Sequence, residues 1–245
     1  MMTLSDMLYS QGFGTRRVCA GLVQQGFVQL QGVVVTDALH EIQVTDGMPF
    51  TVQGQAWEYH EKACIVLHKP AGTECSQKPS AWPSVYTLLP VPLRQRPQKG
   101  AVQGVQAVGR LDQDTTGLLV LTDDGQLIHK MGSPKKQVPK VYQVTCKHEV
   151  TPQQVQKLLA GVVLDDDPKP VVAAACVATG SHTLDLTITE GKYHQVKRML
   201  AAVGNRVEGL HRHSIGGYAL PANLAPGQWR WLTAAEVALL LQRQP

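Results

Sequence analysis

Hydrophobic and polar positions along the chain repeat with two periods. Val28 and Leu30 alternate with Gln29 and Gln31, Gly32 turns, and Val33-Val34-Val35 begins a second strand. Leu184-Asp185-Leu186-Thr187-Ile188-Thr189 alternates in the same way and reads as a half-buried strand. Cys64-Ile65-Val66-Leu67 is a continuous apolar run ended by a turn at Pro70-Ala71-Gly72. Elsewhere the period is helical. Val196, Met199, Leu200 and Val203 recur at i, i+3, i+4 and i+7, one buried face of a helix that stops at Gly204. Lys197 then points away from that face, beside the helix start. Thr3 caps a short helix over 3–10, with Asp6 in its first turn favouring the dipole. Thr15 caps a second helix with Val18, Leu22 and Val23 on one side and Gly26 as its stop. Thr151-Pro152 opens a helix that Gly161 closes. Thr233-Ala234-Ala235-Glu236 is a capping box before Val237, Leu240 and Leu241.

The 245 residues allow a small domain beside a medium one, and 43% hydrophobic content is enough for a sizeable core. Gln53 to Glu61 is polar and aperiodic, which puts a domain boundary near residue 60. A net charge of +4 permits a polyanionic partner without requiring one. Five cysteines, at 19, 64, 75, 146 and 176, form no C-x-x-C pair, so reduced core residues are expected rather than zinc ligands. The start lacks a basic patch followed by an apolar run. The longest apolar stretch, Val171 to Ala178, is too short to cross a bilayer. A cytoplasmic protein without a membrane partner is expected.

Chemistry concentrates between two apolar runs. Val108-Gly109-Arg110-Leu111-Asp112-Gln113-Asp114-Thr115-Thr116-Gly117 precedes Leu118-Leu119-Val120-Leu121. A loop of this polarity on a strand scaffold suits catalysis, with Asp112 as a nucleophile. It also suits an ordinary turn whose Asp and Thr side chains bond their own backbone. Lys69, at a strand end, can meet phosphate or stay in solvent. Arg94-Gln95-Arg96-Pro97-Gln98-Lys99-Gly100 carries no apolar pattern and reads as a mobile loop. Lys135, Lys136 and Lys140 lead into a strand bearing Tyr142. Cations beside an aromatic ring suit RNA phosphates and a stacked base, and a buried structural tyrosine fits equally well. Asp165-Asp166-Asp167-Pro168 lacks the spacing of a calcium loop and reads as a solvated turn. His211 and His213 have no third metal ligand nearby, which leaves Leu210-His211-Arg212-His213 as a strand end facing RNA or solvent.

Gly109-Arg110-Leu111-Asp112-x-Asp114-Thr115-Thr116-Gly117 through Gly125 resembles the catalytic segment of RNA pseudouridine synthases. Leu67-His68-Lys69-Pro70-Ala71-Gly72 is similar to a second motif of that family. Two short helices followed by Gly26-Phe27-Val28-Gln29-Leu30-Gln31-Gly32 resemble an S4 RNA-binding module, with Arg16 and Arg17 at the family's basic helix start. These two are the only Lys or Arg within residues 1–60. The resemblance covers residues 3–50 for the S4 module and 64–240 for the catalytic part. It implies Asp112 as nucleophile, Tyr142 stacking on the target base, and Lys197 as the cation paired with the aspartate. Arg110, Thr115, Lys140, His194, Gln195 and Arg198 join Arg16 and Arg17 as the substrate-binding set. Glu190 through Met199, with Leu210-His211-Arg212, looks most like the branch acting on small-subunit 16S ribosomal RNA at a uridine-516-type site.

The chemistry implied is self-contained. Forming pseudouridine breaks the ribose bond to N1, turns the base and joins the ribose to C5. Nothing is oxidised or hydrolysed, so no cofactor and no metal is expected. A carboxylate close to the sugar and base is required, and a cation within a few ångströms favours its ionised form. The expected fold is α+β. It has an S4-like module of the α-L type over 1–60 and a catalytic domain over 61–245. The latter is built on a mostly antiparallel mixed β-sheet flanked by helices. The expected partner is ribosomal RNA, with 16S favoured, taken naked or within an assembling small subunit by a monomeric protein whose S4 module swings freely. The alternatives are a large-subunit 23S enzyme of the same branch and a non-catalytic ribosome-assembly factor. A glycosidase using two carboxylates fits poorly, because only 5% of residues are aromatic and Asp123 and Asp124 are adjacent in a turn.

Overall fold

The computed structural model describes residues 1–243 as an α+β protein that divides into two compact units. The first comprises residues 1–64, 89–106 and 122–124, and the second residues 65–88, 107–121 and 125–245. The chain thus re-enters the first unit twice after residue 64.

In the first unit Thr3 and Thr15 cap the helices Leu4–Ser10 and Arg16–Gln24 through their side-chain oxygens, as their sequence positions predict. The second helix buries Cys19 and Val23, whereas Val18 faces outward at 51% exposure. An antiparallel sheet orders the strands Val33–Val34, Val28–Leu30, Pro49–Val52 and Gln55–Glu58. Phe13 packs edge-on against Phe50 and Trp57, with centroids 5.9 and 5.6 Å away.

The basic segment at 94–100 is not the free loop its composition suggested. It starts inside the helix Val91–Gln95, and Arg96 is 1% exposed. Arg96 Nε donates to Asp123 Oδ2 at 2.7 Å, Nη1 to Gln11 Oε1 at 3.1 Å, and Nη2 to the His60 carbonyl at 2.7 Å. Asp123 Oδ1 in turn accepts from the Ala63 amide at 2.7 Å. A buried guanidinium survives only when matched in this way.

The second unit is built on a mixed sheet. Its strand order is Ala175–Ala178, Thr183–Ile188, Lys140–Cys146, Val207–Ile215, Thr116–Thr122, Cys64–Lys69, Trp229–Trp231. Val207–Ile215 runs parallel to Thr116–Thr122 and antiparallel to Lys140–Cys146. The alternation read at 184–189 is realised: Leu184, Leu186 and Ile188 are buried, while Thr183, Asp185 and Thr187 are part-exposed. The helix Gln195–Ala202 buries Val196, Met199 and Leu200, and Val203 just beyond it. It packs against the strands Val162–Leu164 and Val207–Ile215. Capping boxes close the starts of the helices Pro152–Ala160 and Ala234–Leu240. Among the described residues all five cysteines are free, four of them buried, and no helix is long and apolar enough to cross a membrane.

Candidate active site

The loop between Gly109 and Thr116 is held from below. Lys69 is fully buried, and its Nζ donates to the carbonyls of Pro70 at 3.0 Å, Gln113 at 3.3 Å and Thr115 at 2.8 Å. It therefore meets neither phosphate nor solvent, the two settings its strand-end position suggested. Burial pushes its pKa down, and the charges of Cys75, Asp114 and Asp112 oppose that shift. The Gly72 amide also donates to the Gln113 carbonyl at 2.8 Å, and the Thr115 amide to the Asp112 carbonyl at 3.0 Å. With its backbone fixed in this way, the loop presents Asp112 at the mouth of a cleft.

Gly117 closes the loop where the chain enters its strand. Its φ is +110°, and a Cβ there would sit 2.3 Å from the Arg212 carbonyl oxygen. Only glycine allows this approach of the two parallel strands. The approach brings Arg212 under the loop.

The helix Gln195–Ala202 supplies the opposite wall. Lys197 Nζ donates to Asp112 Oδ2 at 3.0 Å and to Asp114 Oδ1 at 2.8 Å. Burial alone would lower the Lys197 pKa, but its bonds to Asp114 and Asp112 outweigh burial and raise it. Burial likewise opposes ionisation of Asp114, and the hydrogen bond and charge of Lys197 prevail to hold its pKa below the usual value. His194 Nε2 lies 3.2 Å from Asp112 Oδ1. That histidine has φ +47°, a conformation rare outside glycine, and stacks on Tyr193 with ring centroids 3.8 Å apart. Both oxygens of Asp112 thus have a nitrogen partner.

Asp112, Tyr142, Lys197, His194, Gln195, Arg110, Thr115, Lys140 and Arg212 all line one cavity of about 150 Å³. That is the size of a cavity known to hold a single benzene ring, so a six-membered base fits. Tyr142 is buried in the cavity wall, and its hydroxyl accepts from Arg212 Nη1 at 3.4 Å. Thr115 Oγ1 and Arg212 Nη2 are buried without a hydrogen-bond partner. Such atoms are scarce in native proteins, and at a cleft they point to an absent ligand.

The remaining residues of the sequence-derived set divide. Arg110 is exposed at the rim. Gln195 is turned inward, where it accepts from the Lys192 amide at 2.9 Å and contacts Met199. Arg198 is tied to Asp166 and to the Tyr193 carbonyl. In the first unit Arg16 is paired with Asp6 and lies over the Tyr9 ring, while Arg17 is exposed. Arg212, read from sequence as a strand-end surface residue, is 3% exposed and belongs to the cavity floor. Its parallel register opposite Gly117 put it there, a pairing between residues far apart in the chain.

Known proteins resemble this chain over nearly its whole length. A family profile described as RNA pseudouridylate synthase matches residues 63–202. An uncharacterized RNA pseudouridine synthase of Bacillus subtilis is 38% identical over 247 residues, covering 99% of this chain and 100% of its own. Ribosomal small subunit pseudouridine synthase A of Escherichia coli is 38% identical over 243 residues, covering 95% of this chain and 97% of its own. A crystal structure of a pseudouridylate synthase superposes with a TM-score of 0.66 at 32% identity, covering 98% of this chain and 100% of that one. With the profile spanning the Asp112 loop and the Lys197 helix, and with relatives matched end to end, the chain belongs to the RNA pseudouridylate synthases, isomerases that act on RNA.

Proposed function

We propose that this protein converts one uridine of small-subunit 16S ribosomal RNA, at a uridine-516-type site, to pseudouridine. Asp112 is the nucleophile, Lys197 its charge partner, and Tyr142 the ring against which the extruded base stacks. The observation that carries the reading is a carboxylate bonded by Lys197 at 3.0 Å in a cavity walled by Tyr142 and sized for one base. Relatives named as small-subunit enzymes, matched over nearly all of both chains, support the choice of RNA.

The base leaves its stack at a cost of a few kcal/mol, part of which stacking on Tyr142 returns. Asp112 then meets the sugar or base as the bond to N1 breaks and the bond to C5 forms. The C5 proton leaves and N1 gains one, so the sum of atoms is unchanged and no cofactor enters. Arg110 meets an RNA phosphate at the rim, and Lys140 meets one at the cavity wall. The helix pair and hairpin of residues 1–60 form an S4-like module that adds RNA contacts through Arg17. The protein works as a cytoplasmic monomer.

Release of tritium from 16S RNA labelled at C5 of uridine tests the reading. The wild-type protein is expected to release one equivalent, and Asp112→Asn none while still binding the RNA. No release from any ribosomal RNA or assembly particle refutes it. Pseudouridine appearing in 23S RNA alone overturns the choice of substrate.

A further inference from the structure

A second cavity, of about 440 Å³, lies beside the first in the larger unit. The two share Gly109, Lys140, Gly191, Lys192 and Arg212 in their linings. The second is otherwise lined mainly by Val108, Met131, Pro134, Val138 and Ile215, with Ser133, Thr189 and Glu190 beside them. Its size and apolar walls suit a ring and sugar rather than bulk water.

Three cations stand at the shared wall, and they are not equivalent. Lys192 is neutralised by Asp167 at 2.6 Å and Glu190 at 3.9 Å. Among the described residues Lys140 and Arg212 have no carboxylate partner. Lys140 donates only to the Val138 carbonyl, at 3.3 Å. Arg212 is buried, donates through Nε to the Leu118 carbonyl at 2.9 Å, and leaves Nη2 without an acceptor. Burial, and next the neighbouring Arg212 charge, pull the Lys140 pKa down to about 8. Two adjacent, poorly hydrated cations without a counter-charge are costly unless an anion is due there.

We infer that Lys140 and Arg212 bind the phosphodiester joining the target nucleotide to its neighbour, and that the neighbour's base occupies the 440 Å³ cavity. The inference rests on the proposed RNA chemistry and adds to it: the enzyme extrudes two consecutive nucleotides. The arrangement follows from spacing, since a chain with one phosphate per nucleotide must place one at a wall dividing two seats. Arg212 Nη2 then gains its acceptor, and the Lys140 charge its partner.

The test uses binding alone, so it does not depend on turnover. Full-length protein is titrated with a fluorescein-labelled uridine decamer over a range of salt concentrations. Each phosphate contact to a single strand contributes about −0.7 to the slope of log K against log salt. Lys140→Met is expected to flatten the slope by about 0.7, and Lys140→Arg to restore it. Ser133→Trp, which fills the second cavity away from Asp112, should keep the slope but weaken binding at least about fivefold. An unchanged slope in Lys140→Met overturns the phosphate site. Undiminished affinity in Ser133→Trp overturns the second seat. Loss of tritium release with these binding effects intact strikes the proposed function and leaves the phosphate site standing.

Discussion

Replacing Lys197 by methionine separates a chemical role from a structural one. The ammonium sits 3.0 Å from Asp112 and 2.8 Å from Asp114, with the Lys197 and Asp112 side chains 26% and 31% exposed. At 3.0 Å the attraction of two unit charges is about 1 kcal/mol in bulk water and about 5 kcal/mol at an effective dielectric near 20. A half-sheltered pair falls between, at roughly 2–4 kcal/mol of hold on the carboxylate's charge and position. If that hold is expressed in the transition state, kcat falls by roughly 30- to 1000-fold. Folding gains far less from the pair, because side-chain ordering and solvent offset most of the attraction, leaving about 1 kcal/mol or less. For a chain of this size that corresponds to a Tm loss of about 2–4 °C. Single-turnover tritium release and thermal melting on the same preparations read the two quantities. Lys197→Arg keeps the charge and is expected to retain most of the rate. The reasoning is refuted if Lys197→Met melts in proportion to its loss of rate, or if Lys197→Arg is as inactive as the methionine variant.

Gly117→Ala forces a methyl to within 2.3 Å of the Arg212 carbonyl at φ +110°; a stability loss of about 2–4 kcal/mol in urea unfolding is expected, and an unaffected midpoint contradicts the close approach. Arg96→Met leaves Asp123 buried and unpaired in the first unit; a loss of about 3–5 kcal/mol is expected, and a cost below 1 kcal/mol by the same assay argues that water reaches the pair. Lys140 supplies a pH signature: its pKa is near 8 when folded, against 10.5 as the reference. Below pH 8 the penalty of burying its charge, next to Arg212, is fully present; between 8 and 10.5 the unfolded chain binds more protons, so stability rises with pH. Lys140→Met lacks this rise, and parallel pH profiles for the two proteins exclude the shift.

Much of the fold was legible because its signals are local. Thr3, Thr15, Thr151 and Thr233 each cap the helix that follows them, a matter of three or four residues. The face of Val196, Met199 and Leu200 and the alternation at 184–188 needed no partner to be read. Asp112, Tyr142 and Lys197 came from motif resemblance, and the structure brings all three to one cavity. What escaped were buried cations with distant partners. Arg96 sits in a Pro- and Gly-bearing polar stretch, and nothing nearby announces Asp123, 27 residues on. Lys69 ends an apolar strand and bonds carbonyls 44 and 46 residues away. Arg212 ends a run with two histidines that resembles a surface edge, and only strand register buries it. Polarity predicts exposure badly for charged groups that distant parts of the folded chain can satisfy, Asp123 among them.

These cations also explain how a chain of net charge +4 can address a polyanion. Lys69 is satisfied by three carbonyls, Lys197 by two carboxylates, Lys192 by Asp167 and Glu190, and Arg96 by Asp123. Arg16 and Arg198 are each bound to an aspartate. Their charges are consumed in holding the protein's own parts. Of the cations set into the cavity wall, Lys140 and the free Nη2 of Arg212 remain, while Arg110 stands exposed at its rim. The attraction exerted at that wall favours RNA whose backbone is already drawn into the cleft, since a duplex passing over the surface cannot reach a guanidinium 3% exposed. Under the proposed function, that part of the interaction is realised only after the nucleotide is extruded. Binding energy released at that stage lowers the cost of extrusion instead of tightening the first encounter.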